Sequence, residues 1–405
     1  MKILYHHRTA SSDGQAVHIE EMIAALRRQG HEVRVVSPGS GGHHRMGGKI
    51  GWAHWLKSAL PKSCYELLEL SYSVIAFTRL ARAIRAFRPH VIYERYNLFL
   101  MGGLLAKRWF GVPLMLEVNA PVALERSRFG GLALPRLARW SEHAAWNGAD
   151  RVLPVTEVLA QDIVASGVSR SRITVVANGV NEAHFAGAPT PETAKAQLQL
   201  LGRLVLGFTG FIRDWHSVDR VIRWMASSRV PTSVHLLVVG DGPARPALER
   251  LALDHNLQER VTFTGVVPRE RIPEYVAAFD IALQPAVVPY ASPLKVFEYL
   301  ALGKAIVAPR QPNIEEILTD RLNAILFDPD DPNGLSRAIE TLVNDDALRA
   351  ELGVRAAKTI REKGLTWTEN ATRVSRLCES VVSPVAIDSQ RCGKEATGAG
   401  SGETP

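Results

Sequence analysis

The sequence predicts an α/β protein built from two Rossmann-like, doubly wound domains. Its 405 residues exceed what one core ordinarily holds, and a prior of about 100 to 200 residues per domain favours two. Short apolar strands alternate with helical segments in residues 1–155, and the alternation starts again at residue 203. Because strands separated by helices pair in parallel, each series predicts one parallel sheet covered by helices.

The first series predicts five strands and the helices between them. The strands are expected at residues 3–5, 32–37, 90–93, 113–118 and 151–155. The first helix is expected over residues 17–29, with Val17, Ile19, Met22, Ile23 and Leu26 on its core face. Gly30 is a suitable residue to end this helix, because glycine readily adopts the left-handed conformation found there.

The second series predicts five more strands and the remaining domain boundaries. The strands are expected at residues 204–209, 234–239, 261–264, 281–284 and 305–308, and one or two helices in residues 335–362. A Gly-, Ala- and Pro-rich stretch places an interdomain linker at 187–202. The expected organisation is a domain at 1–186, a domain at 203–363, a C-terminal helix at 364–383 that packs back on the first domain, and a disordered tail at 384–405.

The net charge of +7 is concentrated in the first half of the chain. Residues 1–186 hold 23 Lys and Arg against 14 Asp and Glu, and the remainder holds 25 against 27. Residues 45–108 hold 11 basic and 3 acidic residues, interleaved with Trp52, Trp55, Leu56 and Leu60. This mixture suits an anionic membrane surface or a phosphate-bearing acceptor, and a solvated basic helix face fits it equally well. Nucleic acid is not expected as a partner, because no nucleic-acid-binding signature accompanies the charge.

The cysteines and the apolar runs indicate the compartment. Cys64, Cys378 and Cys392 are too few and too widely spaced for a disulfide framework or a zinc site. The N-terminus carries no signal-peptide pattern, and the longest apolar stretch, residues 67–86, is interrupted by charges. The expected location is therefore the cytoplasm, including the inner face of the membrane. The adjacent pairs His6-His7 and His43-His44 are interpreted as ordinary histidines, and no metal is expected.

A glycine-rich loop follows the strand predicted at 234–239. Gly240 and Gly242 would let the backbone approach a ligand, and the helix after the loop would offer N–H groups to an anion. A purely structural tight turn is the alternative. The loop lacks the three spaced glycines of the dinucleotide fingerprint, which argues against a nicotinamide enzyme.

Residues 290–304 are the most informative segment. Ser292 and Pro293 resemble the N-cap and first residue of a helix, so Lys295 and Glu298 are expected on one side of its first turns. Such a lysine can neutralise a diphosphate, and such a glutamate can accept hydrogen bonds from ribose hydroxyls. An exposed Lys-Glu pair is the alternative, but the apolar neighbours predict a largely buried helix, where a charge needs a partner or a ligand.

These segments occur in a recognisable order. They are residues 13–18, 30–33, 176–181, 240–243, 292–303 and 313–316, together with Phe185 and Trp367. In order and spacing they resemble the group 1 glycosyl transferases, retaining enzymes with the GT-B fold, in a subgroup with a Ser-Pro-Leu-Lys-x-x-Glu motif. The resemblance covers residues 2–375. It implies two Rossmann-like domains facing a cleft, and transfer of a sugar from a nucleotide-diphosphate sugar with retention and without a metal or other cofactor.

The resemblance also implies roles for residues at matching positions. Glu298 would bind the nucleotide ribose, Gly14 would approach the sugar phosphate, and Val266 would lie beside the base. Gly240 and Gly242 would lie near the nucleotide, and Ser292, Pro293 and Leu294 would complete the donor-binding segment.

Three departures from the family pattern change these expectations. Ala291 replaces the first glutamate of a paired-glutamate motif, Phe211 and His216 replace an Arg and a Lys, and Asn119 replaces a His. Arg213, His216 and Lys295 are therefore expected to share the diphosphate, with Arg213, Lys295 and Asn119 as the catalytic residues. Asn119 can hydrogen-bond a sugar hydroxyl but cannot act as an acid or base near neutral pH.

The expected chemistry is stabilisation of a departing nucleoside diphosphate by cations and a helix N-terminus. The expected acceptor is lipid-linked or a saccharide, in the synthesis of surface polysaccharide or glycolipid, and domain closure about residues 187–191 would accompany binding. Three alternatives remain open. The first is a sugar-nucleotide epimerase or phosphorylase of the same fold, the second is a catalytically silent binding subunit, which Ala291 and Asn119 would suit, and the third is a non-specific nucleic-acid binder.

Overall fold

The computed structural model describes residues 1–9, 14–38 and 60–382. The chain divides into two compact units. The first contains residues 1–155, 159–176 and those from 371 onward, and the second contains residues 156–158 and 177–370. Several features singled out above lie outside the described residues, namely Trp52, Trp55, Leu56, His43, His44, Cys392 and the tail at 384–405.

The first unit is built on a five-stranded parallel sheet. Its strands are β1 (Lys2–His6), β2 (Glu32–Val36), β3 (Val91–Arg95), β4 (Leu114–Val118) and β5 (Arg151–Pro154). Their order is β2-β1-β3-β4-β5, and every neighbouring pair is parallel. All five predicted strands are confirmed. The strand order reverses direction between β1 and β3, which is where sheets of this kind bind ligands, beyond the carboxyl ends of the strands.

Helices connect these strands. Their bounds are Gly14–Arg28, Lys62–Phe87, Gly102–Phe110, Val122–Glu125, Pro135–Gly148 and Glu157–Ala165, with a π-helical turn at Arg126–Gly130. The first helix ends as predicted, because Gly30 has a φ of +82°. The N–H of Gly30 donates to the carbonyl of Arg27, and that of His31 donates to the carbonyl of Leu26. This pair of bonds is the Schellman pattern, which satisfies carbonyls at a helix end.

The long helix Lys62–Phe87 buries charged side chains against the unit. Both carboxylate oxygens of Glu66 accept backbone N–H groups, those of Ala133 and Leu134, at 2.8 and 2.7 Å. Glu69 pairs with Arg126, whose two terminal nitrogens donate to it. Buried carboxylates are tolerated here because each is hydrogen-bonded. None of the helices described between residues 14 and 382 combines the length and apolar character needed to span a membrane.

The second unit is built on a six-stranded parallel sheet. Its strands are β6 (Leu204–Thr209), β7 (Val234–Val239), β8 (Val261–Phe263), β9 (Ile281–Leu283), β10 (Ala305–Pro309) and β11 (Ile325–Phe327). Their order is β11-β10-β9-β6-β7-β8. Five of these strands were predicted, and β11 was missed, although it is as long as β8 and β9.

The helices of the second unit lie between and after these strands. Their bounds are Glu182–Phe185, Pro191–Gln197, Val218–Met225, Arg245–Asp254, Ile272–Ala277, Leu294–Ala301, Pro312–Glu315, Gly334–Val343 and Asp346–Glu362. The stretch predicted as a linker, residues 187–202, contains one of them and belongs to the second unit. The last helix, Trp367–Val381, contributes its residues from 371 onward to the first unit, where Thr372 accepts a hydrogen bond from Gln29 at 2.7 Å.

The central strand β6 separates two apolar layers of the second unit. Leu206 and Phe208 belong to the cluster on one face of the sheet, and Val205 belongs to the cluster on the other. Gly207 lies on the same face as Val205, because side chains alternate along a strand. A Cβ atom at Gly207 would overlap the ring of Phe279, so this ring fills the space that a side chain would need.

We expect Gly207→Ala to destabilise the protein by about 1–3 kcal/mol, the usual cost of overpacking a filled core. Phe279→Leu should recover part of this loss when it is combined with Gly207→Ala, because the smaller side chain leaves room for the methyl group. Denaturant unfolding measures both. Gly187→Ala is the matched control, since a Cβ atom there meets nothing within 4 Å. Equal stability of Gly207→Ala and Gly187→Ala would contradict this account of the core.

Candidate functional site

In the second unit the candidate site lies where the strand order reverses, at β6 and β9. The two strands are neighbours in the sheet, β6 also pairs with β7, and both pairs are parallel. The loops after these strands, at 210–217, 240–244 and 284–293, therefore emerge from one edge of the sheet. Every donor-binding residue predicted in this unit lies in these loops, in the helix that follows the last of them or in the loop after β8.

The glycines of the first two loops permit a close approach of backbone to backbone. A Cβ atom at Gly240 would overlap the carbonyl of Gly210, and one at Gly242 would overlap the carbonyl of Ile212. The N–H of Gly242 is bonded to Asp241, and that of Gly240 lies 3.3 Å from Thr264 Oγ1. The N–H groups of Gly240 and Gly242 thus have partners within the protein, and a side chain at either position would overlap the neighbouring backbone. The expectation that the helix after this loop offers N–H groups to an anion stays a prediction.

Lys295 brings a buried ammonium to this edge. Its Nζ lies 3.7 Å from the centroid of the Phe208 ring. Gly210 has a φ of +118°, which favours glycine, and a Cβ atom there would be in ordinary contact with the same Nζ at 3.6 Å. In the described part of the chain, Nζ has no hydrogen-bond partner. Burial lowers the pKa of Lys295 to about 7, although the nearby Glu298 carboxyl acts to raise it.

His216 lies beside Lys295 as a neutral donor. Its ring centroid is 5.4 Å from that of Phe208. Burial, followed by the charges of Lys295 and Arg213, lowers the pKa of His216 to about 2, so the ring is neutral at pH 7. The Nδ1 atom accepts the backbone N–H of Arg213 at 3.2 Å. The ring proton of the neutral imidazole is therefore on Nε2, where it can be donated to a ligand.

Arg213 adds a permanent positive charge. Its side chain is exposed, and its guanidinium carbon lies 4.8 Å from the ring centroids of both Phe211 and Trp215. Contact with two aromatic faces restricts the orientation of the guanidinium plane. Among the described residues, no carboxylate forms an ion pair with this guanidinium. With Lys295 and the Nε2–H of His216, it makes this edge of the sheet suited to a doubly charged anion.

The helix that carries Lys295 begins later than predicted. It spans Leu294–Ala301, and Pro293 precedes it as the capping residue. The predicted role of Ser292 as N-cap is wrong: its Oγ accepts the backbone N–H of Asn178, and its carbonyl accepts a bond from the Asn178 side chain. A serine before a proline favours a cap only when no other donor takes its hydroxyl, and here the backbone N–H of Asn178 does so.

Two buried asparagines fix the loop that leads into this helix. Asn178 binds Ser292 as described, and Asn313 donates from Nδ2 to the carbonyls of Val288 and Ala291 at 3.2 and 2.7 Å. Both were noted above only as parts of family segments. Their positioning role left no clear signal in the sequence, because it depends on bonds to residues 22 to 114 positions away.

Glu298 lies in the helix Leu294–Ala301, and Val266 lies in the loop after β8. Burial raises the pKa of Glu298 to about 7, although the charges of Arg269 and Lys295 act to lower it. Its carboxyl group can therefore be ionised or protonated near neutral pH. Val266 follows Gly265 in the loop after β8 and is 53% exposed, which leaves an apolar surface free for a flat ligand.

The first unit contains a buried polar cluster at the carboxyl ends of β1, β3 and β4. The Glu117 carboxylate is its centre, and five side chains contact it: Tyr5, His18, Tyr93, Arg95 and Asn119. Burial alone would raise the pKa of Glu117, but the charges of His18 and Arg95 outweigh it, so this pKa lies well below its ordinary value. Glu117 is thus an ionised carboxylate inside the protein.

The two predicted site residues of the first unit lie on its elements at this edge. Gly14 is the first residue of the helix Gly14–Arg28, which also carries His18, and Asn119 follows β4. Sequence reasoning did not identify the cluster itself. The signal was present, since Glu94, Arg95 and Glu117 are charged residues inside strands that are otherwise apolar.

His6 lies at the same edge of the sheet, and the described residues around it do not form a set of metal ligands. Its Nδ1 lies within hydrogen-bonding distance of Glu94, and a Cβ atom at Gly103 would overlap the Glu94 carboxylate. Burial, followed by the charge of His6, lowers the pKa of His7 to about 4. Among the residues that the structure describes, no group of three or more His, Cys, Asp or Glu side chains is arranged to hold a metal ion.

Comparison with known proteins gives matches to both halves of the chain. Residues 13–179 match a family model described as a glycosyl transferase 4-like domain, and residues 203–345 match the model of glycosyl transferases group 1. A GDP-mannose-dependent alpha-mannosyltransferase of Mycobacterium tuberculosis is 26% identical over 320 residues, which cover 78% of this chain and 80% of that protein. A D-inositol 3-phosphate glycosyltransferase of Mycolicibacterium smegmatis is 26% identical over 345 residues, covering 80% and 77%.

Solved structures show the same fold at lower sequence identity. Anabaena Alr3699/HepE in complex with UDP is 18% identical, with a TM-score of 0.74, covering 94% of this chain and 100% of that chain. A sucrose-phosphate synthase from Thermosynechococcus elongatus is also 18% identical, with a TM-score of 0.75, covering 94% and 99%. The chain has the GT-B fold, and the two family models together with these neighbours support a group 1 glycosyltransferase.

Proposed function

We propose that the protein transfers a sugar from a nucleotide-diphosphate sugar to an acceptor, and that the second unit binds the nucleotide. The observation that carries this proposal is the buried ammonium of Lys295, which has no hydrogen-bond partner in the described chain and lies beside the neutral ring of His216. A buried charge that nothing in the protein satisfies is expected to have a ligand of opposite charge. Among the relatives, one is named for its use of GDP-mannose, and HepE is described with UDP and with UDP-glucose.

In this proposal the diphosphate contacts Lys295, Arg213 and the Nε2–H of His216. When the anomeric C–O bond breaks, negative charge grows on the diphosphate, and fixed cations and donors stabilise it more strongly in the transition state than in the ground state. A dianion close to Lys295 raises the pKa of its amine, so that the lysine is fully charged when the donor is bound. Lys295 and Arg213 are the proposed catalytic residues of this unit.

The remainder of the donor extends along the same elements. Glu298 accepts hydrogen bonds from the ribose hydroxyls, and Val266 packs against the base. Ser292, Pro293 and Leu294 position the start of the helix, while Gly240 and Gly242 shape the loop beside Gly210. In the first unit, Asn119 hydrogen-bonds a sugar hydroxyl and Gly14 approaches the sugar phosphate.

Retention and independence of a metal belong to the same proposal. Asn119 has no titratable group, so a departing phosphate oxygen is the base that remains to take the acceptor proton as the acceptor attacks from the same face. The cations Lys295 and Arg213 supply charge that a metal would otherwise supply. Two alternatives use the same site: a sugar-nucleotide epimerase or phosphorylase, and a silent binding subunit, which Ala291 and Asn119 would suit.

The acceptor side of the proposal is a lipid-linked or saccharide acceptor at an anionic membrane surface. The supporting observation is the outer face of the helix Lys62–Phe87, which has apolar residues where a polar face is expected. Its glutamates are buried, while Leu67, Leu68, Val74 and Ile75 are 51%, 44%, 61% and 49% exposed. Trp109 of the helix Gly102–Phe110 is 73% exposed, and its ring contacts Phe77 at a centroid distance of 6.3 Å.

The charge of this face is entirely positive. Between residues 60 and 110 the acidic residues are Glu66, Glu69 and Glu94, and all of them are buried. The exposed charged residues of the same stretch are Lys62, Arg82, Arg85, Arg88 and Arg108. An apolar helix face with an uncompensated cationic margin matches the boundary of an anionic bilayer, where apolar side chains enter and cations contact lipid phosphates.

A donor screen tests the central proposal. We expect one of UDP-, GDP-, ADP- or dTDP-sugars to stabilise the protein by about 2.7 kcal/mol at 100 times its Kd, and to be hydrolysed slowly or transferred. Glu298→Ala and Lys295→Met should lose most of this stabilisation, and thermal shift measures it. Lys358→Ala, an exposed lysine of the helix Asp346–Glu362, is the control and should respond like the wild type.

The outcomes of this screen separate the alternatives. Formation of an epimer or of a sugar phosphate without any acceptor favours the epimerase or phosphorylase. Donor binding without hydrolysis or transfer to any acceptor favours the silent subunit. If no sugar nucleotide raises Tm, the central proposal is wrong.

A second prediction concerns stability and pH. If Lys295 is kept for a ligand, Lys295→Met should stabilise the unliganded protein by about 1 kcal/mol at pH 7, a rise in Tm of about 2–4 °C, because an unsatisfied buried ammonium is removed. The folded pKa of Lys295 is about 7 and its ordinary value is 10.5. Between these values the unfolded chain binds the proton more tightly, so the cost of Lys295, and with it the gain from Lys295→Met, should disappear as the pH rises towards 10.

Lys304→Met is the matched control for this prediction. Lys304 is also buried, and burial lowers its pKa to about 8, but its Nζ donates to the carbonyl of Ala277 at 2.6 Å. Its replacement leaves that carbonyl unsatisfied and should lower Tm. Melting curves at pH 7 and pH 10 measure both variants, and a lower Tm for Lys295→Met at pH 7 contradicts the assignment of Lys295 to a ligand.

Vesicle binding tests the membrane proposal. The wild type should sediment with vesicles containing anionic lipid at low salt, and not with neutral phosphatidylcholine vesicles. Val74→Glu with Ile75→Glu, and separately Arg82→Ser with Arg85→Ser, should weaken binding about tenfold or more, at about 1 kcal/mol per basic residue. Val354→Glu changes an equally exposed valine of the second unit and should have no effect. Unchanged binding of the Val74 and Ile75 variant would mean that this face is not the docking surface.

A further inference from the structure

The arrangement around Glu117 determines which hydrogen-bonding group Asn119 can present. Asn119 donates from Nδ2 to Glu117 Oε1 at 2.6 Å. An ionised carboxylate only accepts hydrogen bonds, so the amide nitrogen of Asn119 must face it. The amide oxygen therefore faces away from the carboxylate. The flipped orientation of the amide is excluded, so the half-buried Asn119 presents its oxygen as an acceptor to a ligand.

The Glu117 carboxylate is itself held by other side chains. Oε1 also accepts from Arg95, and Oε2 accepts from Tyr93 at 2.9 Å and from Tyr5 at 3.4 Å. His18 Nε2 lies 2.9 Å from Oε2. These donors come from β1, β3 and the first helix, so the position of the carboxylate is fixed by three elements and the proton stays off it.

We propose that Glu117 is a positioning residue that makes Asn119 a dedicated acceptor for a hydroxyl of the transferred sugar. This inference rests on the proposed function, and it assigns recognition of the sugar, as distinct from the nucleotide, to the pair Glu117 and Asn119. The same carboxylate holds His18 in the second turn of the helix that begins at Gly14, so it also fixes the start of that helix relative to Asn119.

The proposal predicts a selective loss of sugar binding. Glu117→Gln lets the Asn119 amide face residue 117 in either orientation, because a glutamine can donate as well as accept. We expect UDP-glucose, or whichever sugar nucleotide the donor screen selects, to bind about tenfold more weakly, the effect of one lost hydrogen bond to a fixed acceptor. The corresponding nucleoside diphosphate should keep its wild-type affinity. Isothermal titration calorimetry with the full-length protein measures both ligands.

A reciprocal exchange provides the decisive variant. Asn119→Asp alone places two carboxylates against each other and should weaken binding of the sugar nucleotide. Glu117→Gln combined with Asn119→Asp restores one donor facing one carboxylate, with an acceptor oxygen presented outward, and should recover most of the affinity. A purely structural role of Glu117 predicts no such recovery, because the double variant also lacks the buried carboxylate.

Glu142→Gln is the matched control. Glu142 is another buried carboxyl group of the first unit, it accepts bonds from Tyr96 and from the N–H of Ala123, and it does not contact Asn119. We expect it to leave both affinities unchanged. Equal weakening of sugar nucleotide and nucleoside diphosphate by Glu117→Gln, or no weakening of either, overturns the inference while the proposed function stands. If the wild type binds no sugar nucleotide at all, the proposed function fails first.

Discussion

In each unit, the buried charges at the point where the strand order reverses are the constraint on which the rest of the site depends. In both units a parallel sheet changes its winding direction at one pair of strands, β1 and β3 in the first and β6 and β9 in the second. Helices cover the faces of each sheet, so the carboxyl ends of these strands are the place where polar groups can lie inside the fold and still reach a ligand. Both units have ionisable groups at this place, and the two sets differ in how they are satisfied.

In the first unit the buried charge is satisfied by the protein. Glu117 accepts from donors on several elements, and Glu94 is in contact with His6. A carboxylate in such a network contributes rigidity, because each donor restricts its position and a missing donor would leave a buried lone pair unsatisfied. This unit can therefore hold a neutral side chain, Asn119, in one orientation. A neutral group needs such precise placement, because the strength of a hydrogen bond depends on direction more than the attraction between two charges does.

At the corresponding place in the second unit, the buried Lys295 ammonium has no hydrogen-bond partner among the residues that the structure describes. Lys295 Nζ contacts the face of Phe208, an attraction weaker than an ion pair or a hydrogen bond to a carboxylate. The neutral His216 and the exposed Arg213 add no negative charge. The free energy that folding loses here becomes available when an anion binds, since the anion takes the place of the missing partner.

The sequence was sufficient to predict the fold and the elements that carry the site. The apolar segments identified ten of the eleven described strands. The one that was missed, β11, is three residues long, and so are β8 and β9, so its length does not explain the miss. The segment 290–304 was correctly predicted to hold a buried helix, since Val296, Phe297 and Leu300 are buried. The first residue of that helix was wrong, because the competitor for the Ser292 hydroxyl, Asn178, is distant in sequence.

The same distance in sequence explains why the network around Glu117 was not predicted. A charged residue in an apolar strand indicates a buried pair or a site, but the partners of Glu117 come from residues 5, 18, 93, 95 and 119, and no spacing rule connects them. From the sequence, Asn119 is a replacement for a histidine that can hydrogen-bond a sugar hydroxyl but cannot act as an acid or base near neutral pH. With Glu117 beside it, the asparagine differs from a histidine in kind: a histidine facing that carboxylate would be stabilised as a cation. Asn119 next to Glu117 adds no charge of its own and presents an oxygen acceptor, which suits an uncharged sugar.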